Sequence, residues 1–315
     1  MTPLVHRALM YGSREDLLSV TVPFLREGLE TDDAILAVVP AVTIEALRDT
    51  LGRDADAMLF MDAGTWYEHP VRTIAAYNDF ANASAPRRVR ALAQPAWHGR
   101  SPCETVEWQR YESIVNVAFT GFVAQVICLY DHRRLSPEVL SAARSTHPEV
   151  IGGHEVEDGD GFVDPAVFNA RCDRHPLAPA KAAVESRAIE TEDGLHDLRD
   201  FVAGHAEHRR MAPESLGNLL MAVTEVATNA LRHGKSPATL RMWAEETDLV
   251  CEVADQGHWD RDPLTGFVPP ASAAAAGFGL WGARMLVDLV QVRTGTGGTV
   301  VRLRTRFETR ARRPL

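Results

Sequence analysis

The 315-residue sequence predicts two α/β domains, one built on a parallel sheet and one in which helices cover an antiparallel or mixed sheet. In the first half, short apolar runs alternate with segments of helical periodicity, which is typical of a parallel sheet covered on both faces. In the second half, two long helical segments come before most of the strands, which favours a layer of helices packed on a sheet. The chain is 45% hydrophobic, enough for two cores.

Five strands and four helices are predicted in the first half. The strands are "RALMY" (7–11), "AILAVVP" (34–40), "AMLFMDA" (57–63), "VRALAQP" (89–95) and "QVICLYD" (125–131), and the helices cover about 15–29, 42–51, 70–83 and 105–119. In such a sheet, ligands bind beyond the carboxyl ends of the strands. The first strand is followed by "YGSREDLL", which lacks the glycines and lysine of a P-loop, so nucleotide hydrolysis is not expected in this half.

Periodicity fades between residues 152 and 186, where turn formers, charges and prolines predict a closing loop and a linker. We therefore expect domains at residues 1–165 and 188–315, with a linker at 166–187. In the second domain, helices are predicted at about 192–208 and 213–232, and strands at 238–246 and 248–256. A helix at 278–290 and strands at 290–295 and 299–307 complete it.

The net charge of −10 argues against direct binding of nucleic acid through phosphate contacts. The basic residues near the C-terminus are expected to form a solvated strand face and tail: Arg302, Arg304, Arg306, Arg310, Arg312 and Arg313. No apolar run is long enough to span a membrane, and the start lacks the core of a signal peptide. The four cysteines are scattered without a CxxC pair, so we expect a cytoplasmic protein without a cysteine-based zinc site.

The segment "TEVATNALRHG" (224–234) places an acid, an amide and an imidazole on one stripe of a helix. Glu225, Asn229 and His233 recur every four residues, beside an apolar face. A solvated polar face is the simplest explanation of this stripe on its own.

Three further segments give the stripe a chemical use. Asp255 and Gly257 end a strand in "VADQG", Gly277 and Gly279 lead into a helix, and "TGTGGTVVRL" is a glycine-rich turn before a strand. An amide oxygen can ligate Mg²⁺, a buried carboxylate can accept a hydrogen bond from the exocyclic amine of adenine, and glycines let backbone N–H groups approach phosphate. Glu225 could then accept a proton from an attacking water or hydroxyl. Asp255 as an ordinary turn residue remains an alternative.

The ordered segments "EVATNALRHG", "DQG", "GFGL" and "GGTVVRL" resemble the conserved boxes of the GHKL (Bergerat-fold) ATPases, and most of all the anti-sigma-factor serine kinases of bacterial partner-switching systems. The resemblance covers about 188–307 and implies an ATP and Mg²⁺ site. It implies Glu225 as general base and Asn229 as magnesium ligand. The implied ATP-binding residues are Asn229, His233, Asp255, Gly257, Gly277, Phe278, Gly279, Leu280 and Thr299.

The first half resembles the MEDS sensory domain through "HRALMY", "WYEHP", "VNVAFTG", "ICLYD" and "STHPEV". The resemblance implies a RecA-like α/β fold without a working P-loop, in an arrangement found in actinobacterial RsbA-like regulators. Polar residues near the predicted strand ends could line a sensory pocket, although packing and turn roles explain them equally well: His6, Cys128, Tyr130, Asp131 and His147.

Taken together, these features predict a regulatory anti-sigma factor and ATP-dependent serine/threonine kinase. The expected partners are a sigma factor and a small anti-sigma-factor antagonist protein, and the helix at 195–208 is a candidate homodimer surface. The segment before Gly277 has no basic residue to face the terminal phosphate, and Arg284 on the next helix is a candidate substitute. A non-catalytic ATP-binding module that sequesters a partner remains the alternative. A sensor histidine kinase with His196 as phosphoacceptor fits less well, because "HDLRD" (196–200) lies within the ATPase domain itself.

Overall fold

The computed structural model describes residues 4–153, 155–159, 161–234, 237–245, 247–258, 265–268 and 278–307. The chain divides into two compact units, Met1–Cys172 and Asp173–Leu315. Each unit has an α/β architecture, which confirms the predicted fold class. Within the described residues, no helix is both long enough and apolar enough to cross a lipid bilayer.

The first unit is built on a predominantly parallel sheet of seven described strands in the order β3-β2-β4-β5-β1-β6-β7. Only the pairing of β6 with β7 is antiparallel among these strands. The strands are β1 (Val5–Tyr11), β2 (Ala34–Val39), β3 (Leu59–Asp62), β4 (Val89–Ala93), β5 (Ala124–Asp131), β6 (Glu149–Gly152) and β7 (Glu155–Asp158). Every residue of β2 and of β4 is buried, as expected where helices cover both faces of a sheet.

The helices of the first unit lie between these strands in the chain, except for the last helix, which follows β7. They are α1 (Arg14–Glu30), α2 (Ala41–Leu51), α3 (Ala63–Trp66), α4 (Pro70–Ser84), α5 (Pro102–Ala118), α6 (Pro137–Thr146) and α7 (Pro165–Asp173), with a 3₁₀ turn at Gly52–Ala57. Helix α5 starts with a capping box, in which the Ser101 hydroxyl accepts from the Glu104 N–H and the Glu104 carboxylate accepts from the Ser101 N–H. Residues 107–115 of α5 are all buried, so this helix carries polar side chains into the interior of the unit.

The second unit has a five-stranded antiparallel sheet in the order β11-β12-β10-β9-β8 within the described residues. The strands are β8 (Glu185–Ile189), β9 (Ala238–Ala244), β10 (Asp248–Asp255), β11 (Leu289–Gly295) and β12 (Gly298–Arg306). The helices are α8 (Leu195–His208), α9 (Pro213–His233) and α10 (Phe278–Leu286), with a 3₁₀ turn at Glu192–Gly194. One apolar core joins these three helices to the sheet, and the apolar face of α8 (Leu198, Val202 and Ala206) belongs to that core.

The structure differs from the sequence prediction where strands and helices are short or polar. Strand β6 ends where the predicted closing loop begins, and β7 lies within that loop. Helix α7 lies at the start of the predicted linker, and β8 spans its end. The first four residues of β8 are exposed, so this edge strand lacks the apolar pattern that would reveal it. The predicted helix at 278–290 ends at Leu286, and Leu289 already belongs to β11. The domain limits at 165 and 188 stay a prediction.

The prediction of a solvated basic strand face was wrong for Arg302 and Arg304, which are only 4% and 8% exposed. Arg302 forms an ion pair with Glu252 at 2.6 Å and Arg304 forms one with Glu245 at 2.7 Å. An Arg302 Nη1–H also donates to the carbonyl oxygen of Ala178 at 2.7 Å. The chain before β8 therefore covers this face of the sheet and removes it from water. Arg310, Arg312 and Arg313 lie outside the described residues.

Candidate functional site

Helix α9 presents the predicted catalytic stripe because its apolar side is fixed in the core. Leu219, Val223 and Val226 are at most 2% exposed, which turns the opposite side of the helix outward. Glu225 is exposed and Asn229, one turn later, is half-buried. The spacing of four thus places both polar groups on one stripe, as the sequence predicts.

The first turn of α10 lies directly against this stripe. A Cβ added to Gly279 would lie 2.8 Å from Oε2 of Glu225 and 3.1 Å from Nδ2 of Asn229. Only a residue without a side chain leaves both groups in their present positions. The N-terminal turn of a helix carries unpaired N–H groups and a partial positive charge, so the three groups form a suitable environment for an anion with a bound cation.

The end of α9 and the end of β10 meet through two glycines. A Cβ on Gly257 would lie 2.6 Å from the Cα of Gly234, and a Cβ on Gly234 would lie 2.5 Å from Oδ1 of Asp255. The Gly257 N–H donates to Oδ1 of Asp255 at 2.6 Å, which fixes the orientation of this half-buried carboxylate. Asp255 is therefore held beside Gly234, the residue that follows α9. Gly234 comes five residues after Asn229, which corresponds to about 7.5 Å of helix rise.

The turn between β11 and β12 supports the same corner. The Thr299 hydroxyl donates to the carbonyl oxygen of Gly257 at 3.0 Å, and Thr299 pairs with Asp255 across the strands. Gly298 has φ of +107°, and a Cβ there would lie 2.1 Å from the carbonyl oxygen of Asp255. Backbone contacts at positions that require glycine thus fix the position of Asp255.

The other predicted ATP-binding residues have varied positions. His233 is exposed in the last turn of α9, and Leu280 is 3% exposed in the core. Gly277 lies outside the described residues, and Phe278 contributes the first residue of α10. The interpretation of Arg284 as a phosphate contact was wrong. Its guanidinium stacks 3.9 Å from the ring centroid of buried Phe267 and donates to the Val290 carbonyl oxygen.

His196, the candidate phosphoacceptor, lies on the exposed side of α8. Its imidazole is 3.7 Å from the Asp200 carboxylate, and its side chain is 81% exposed. The apolar side of α8 packs into the core of the second unit. The helix is thus an integral part of this unit, whereas a phosphoacceptor lies on a separate helical hairpin.

In the first unit, the structure brings together four of the five residues predicted for a sensory pocket. His6, Cys128, Tyr130 and His147 are all buried, and the ring centroids of His6 and His147 are 4.0 Å apart. Sequence reasoning missed Glu112 of α5, which is 2% exposed and lies within the same group. The same stretch of α5 also carries Glu107 and Arg110, so nothing in the sequence distinguishes Glu112 as the member of this group.

The fifth residue, Asp131, lies apart from this group at the carboxyl end of β5. It accepts a hydrogen bond from the Arg133 N–H at 3.0 Å and lines a crevice of about 900 Å³. Tyr11 at the end of β1 and Gln94 after β4 also line this crevice. The carboxyl ends of the strands thus form an opening where ligands bind in open α/β sheets.

Comparison with known families agrees with the division into two units. Residues 5–148 match the family model described as MEDS, the methanogen/methylotroph DcmR sensory domain. Residues 190–305 match the family model described as the histidine kinase-like ATPase domain. The first segment is therefore similar to a sensory domain and the second to an ATPase domain, for which ATP with Mg²⁺ is the expected ligand.

Among solved structures, the chain has a distant neighbour. The crystal structure of the RsbU and RsbW domains of a Mycobacterium tuberculosis protein aligns at 18% identity and a TM-score of 0.31. The alignment covers 42% of this chain and 35% of that chain. No curated protein matches the chain.

Proposed function

We propose that the second unit binds Mg²⁺ and ATP, and that the chain is a regulatory anti-sigma factor and serine/threonine protein kinase. In this proposal the second unit sequesters a sigma factor and phosphorylates a small antagonist protein, while the first unit responds to a ligand or partner. One observation carries the proposal: Glu225, Asn229 and the first turn of α10 converge at Gly279, with Asp255 fixed beside Gly234 at the end of α9.

The residues present suit this ligand. Gly279 and Gly257 stand where a Cβ would press on the side chains of Glu225, Asn229 and Asp255, so glycine leaves these polar groups in place. The first turn of α10 can then offer its backbone N–H groups to phosphate. Asn229 supplies an amide oxygen for Mg²⁺, which offsets charge on the phosphates, and Asp255 accepts a hydrogen bond from the exocyclic amine of adenine. Thr299 positions this corner through its bond to Gly257.

Glu225 is the residue that distinguishes a kinase from a binding module. Its carboxylate is exposed and lies beside Gly279, so a protein substrate can reach it. In the proposed reaction it takes the proton of a serine or threonine hydroxyl as the oxygen bonds to the terminal phosphorus and ADP departs.

A non-catalytic sequestering module is the second candidate. The buried position of Arg284 favours it, because this cation stacks on Phe267 and does not serve the terminal phosphate. Positioned positive charge is a large part of catalysis in phosphoryl transfer. The two candidates differ in whether the antagonist is modified.

The kinase proposal predicts that a purified antagonist protein, first shown by calorimetry to bind the chain, gains the mass of one phosphate when Mg²⁺ and ATP are added. Glu225→Gln keeps the size of the side chain but removes the base, so the rate should fall by about 10²- to 10⁴-fold with ATP affinity retained. Intact-mass spectrometry over time measures the mass gain and its rate, and calorimetry measures the ATP affinity. An antagonist that stays unmodified under saturating ATP would refute the kinase and leave the sequestering module.

Substitution of Gly279 tests the geometry of the site. In Gly279→Ala, the methyl group would displace the carboxylate of Glu225 and the amide of Asn229, which are mobile ends of side chains, so the fold should survive. We expect ATP affinity to fall by about tenfold or more, equal to about 1.4 kcal/mol. The matched control is Gly282→Ala on the same helix, where a Cβ meets nothing within 4 Å. Calorimetry on both variants decides, and equal affinities would place the phosphates elsewhere.

A further inference from the structure

A buried group of four potential metal ligands lies in the first unit, remote in the sequence from the proposed nucleotide site. The ligand atoms of His6, Glu112, Cys128 and His147 all lie within 4.8 Å of one another. None of the four residues is more than 3% exposed. They come from β1, α5, β5 and the residue after α6, so the tertiary structure alone assembles them.

The sheet register explains the approach of His6 and Cys128. His6 pairs with Val126 and Ala8 pairs with Cys128 in the parallel ladder between β1 and β5. Because side chains alternate along a strand, His6 and Cys128 point to the same face. His6 Nε2 lies 3.3 Å from Cys128 Sγ, and His147 Nε2 lies 3.5 Å from Oε2 of Glu112.

Hydrogen bonds behind the two imidazoles orient them toward the group. Asn116 donates its amide protons to the carbonyl oxygens of Thr146 and Ser113, so its Oδ1 is the acceptor for His6 Nδ1–H at 3.0 Å. His147 Nδ1–H donates to the Ala143 carbonyl oxygen at 2.7 Å. Both Nε2 lone pairs therefore face the cluster, which is the arrangement that positions histidine ligands in metal sites.

Without an ion, this group is costly to bury. Neither carboxylate oxygen of Glu112 nor Nε2 of His147 has a hydrogen-bond partner among the described residues. Unsatisfied buried polar groups are rare in folded proteins and commonly indicate a bound ion or water.

We propose that His6, Glu112, Cys128 and His147 bind one divalent transition-metal ion, with Zn²⁺ the best fit. Zinc bonds of about 2.0–2.3 Å in tetrahedral geometry separate ligand atoms by about 3.5 Å, close to the His6–Cys128 distance of 3.3 Å and the His147–Glu112 distance of 3.5 Å. A thiolate, a carboxylate and two neutral imidazoles carry a charge of −2, which the ion neutralises. Imidazole and thiolate ligands exclude Mg²⁺ and Ca²⁺, which prefer oxygen.

A catalytic cysteine explains the same residues less well. Burial raises the pKa of the Cys128 thiol well above its usual value, and Glu112 adds to that effect. A nucleophilic cysteine needs the opposite shift together with access to a substrate. A metal ion supplies the missing positive charge and stabilises the thiolate without exposure.

A small cavity lies beside the cluster, so a bound molecule could contact the proposed metal ligands. Glu112 and Cys128 line a cavity of about 40 Å³ together with Tyr67, Tyr77 and Tyr111. One water needs about 10–15 Å³ of such space, so the cavity accommodates only a very small molecule. A molecule of that size would lie beside two of the proposed ligands.

Elemental analysis of the full-length chain tests the proposal. The protein is purified under reducing conditions with its affinity tag removed, and metals are measured by inductively coupled plasma mass spectrometry. We expect about one zinc per chain, lost in Cys128→Ser and in His147→Gln. The matched control is Cys103→Ser, a half-buried cysteine on α5 outside the cluster, which should retain the metal. Metal retained in full by both cluster variants would overturn the proposal.

Cobalt substitution keeps the test decisive if the variants fail to fold. Wild-type protein is stripped with a chelator and reconstituted with Co²⁺, and its absorption spectrum is recorded. We expect a thiolate-to-cobalt charge-transfer band, strong visible bands of tetrahedral ligation, and an increased melting temperature on metal addition. Folded wild-type protein that takes up neither Zn²⁺ nor Co²⁺ would refute the site.

Discussion

Replacement of Asp255 by asparagine is expected to weaken ATP binding by about 10- to 100-fold, because a half-buried acceptor is exchanged for a group that can present a donor to adenine. The Gly257 N–H already fixes Oδ1 of this carboxylate, so the side chain cannot turn to avoid the mismatch. The loss should appear in calorimetric titrations of both ATP and ADP, since both carry the same base.

The matched control for this experiment is Asp248→Asn, at the opposite end of β10. It should leave nucleotide affinity unchanged. Asn229→Ala separates the metal from the base: its affinity should fall in Mg²⁺ but equal that of the wild type in a chelator, whereas Asp255→Asn should lose affinity under both conditions. If folded wild-type protein binds no nucleotide, the site is degenerate and the first proposal fails.

The second large effect is expected on stability, from Glu252→Gln. This carboxylate is 3% exposed and pairs with Arg302 at 2.6 Å and with Arg241 at 2.9 Å. Neutralising it leaves the buried Arg302 guanidinium uncompensated. Loss of one partner of a buried ion pair costs about 3–5 kcal/mol of the free energy of unfolding.

Hydrogen exchange measured by mass spectrometry across a urea series can read this effect, since peptides from β10 and β12 report the second unit alone. The control is Glu192→Gln, whose partner Arg232 is 2.8 Å away but whose ion pair is more than half exposed. That variant should keep nearly the stability of the wild type, because exposed ion pairs contribute little to the free energy of unfolding. Equal losses of stability in the two variants would show that burial does not increase the contribution of the Glu252 ion pairs to the free energy of unfolding.

Sequence reasoning succeeded where a local pattern carries the physical cause. Buried runs such as "AILAVV" predict strands covered on both faces, and a spacing of four predicts one helical stripe for Glu225 and Asn229. Both follow from the geometry of a single element, and the structure agrees with them.

Patterns fail where the cause is not local. The sequence grouped His6 and Cys128, 122 residues apart, only as possible members of one pocket, and no short motif indicates that Glu112 of α5 joins them. Burial of Arg302 depends on a segment before β8 that crosses the sheet, and the arginine-rich sequence of β12 gives no sign of it. Likewise, Arg284 is of a residue type that commonly binds phosphate, but its guanidinium packs on Phe267 in the core.

The turn at Gly298 implies that the Asp255 end of the proposed site tolerates substitutions less well than the Glu225 end. Around Asp255, the backbone is closely packed at Gly234, Gly257 and Gly298, so a side chain at any of these positions would displace the carboxylate or the backbone of Asp255. The proposed recognition of the base is therefore expected to be lost completely by a single such substitution. At the other end, Glu225 reaches the site through a long and exposed side chain, which a single substitution can alter without moving the main chain. Under the proposed function, a descendant of this chain could lose phosphoryl transfer and still bind the nucleotide, whereas losing base recognition alone would require changes in the backbone around Asp255.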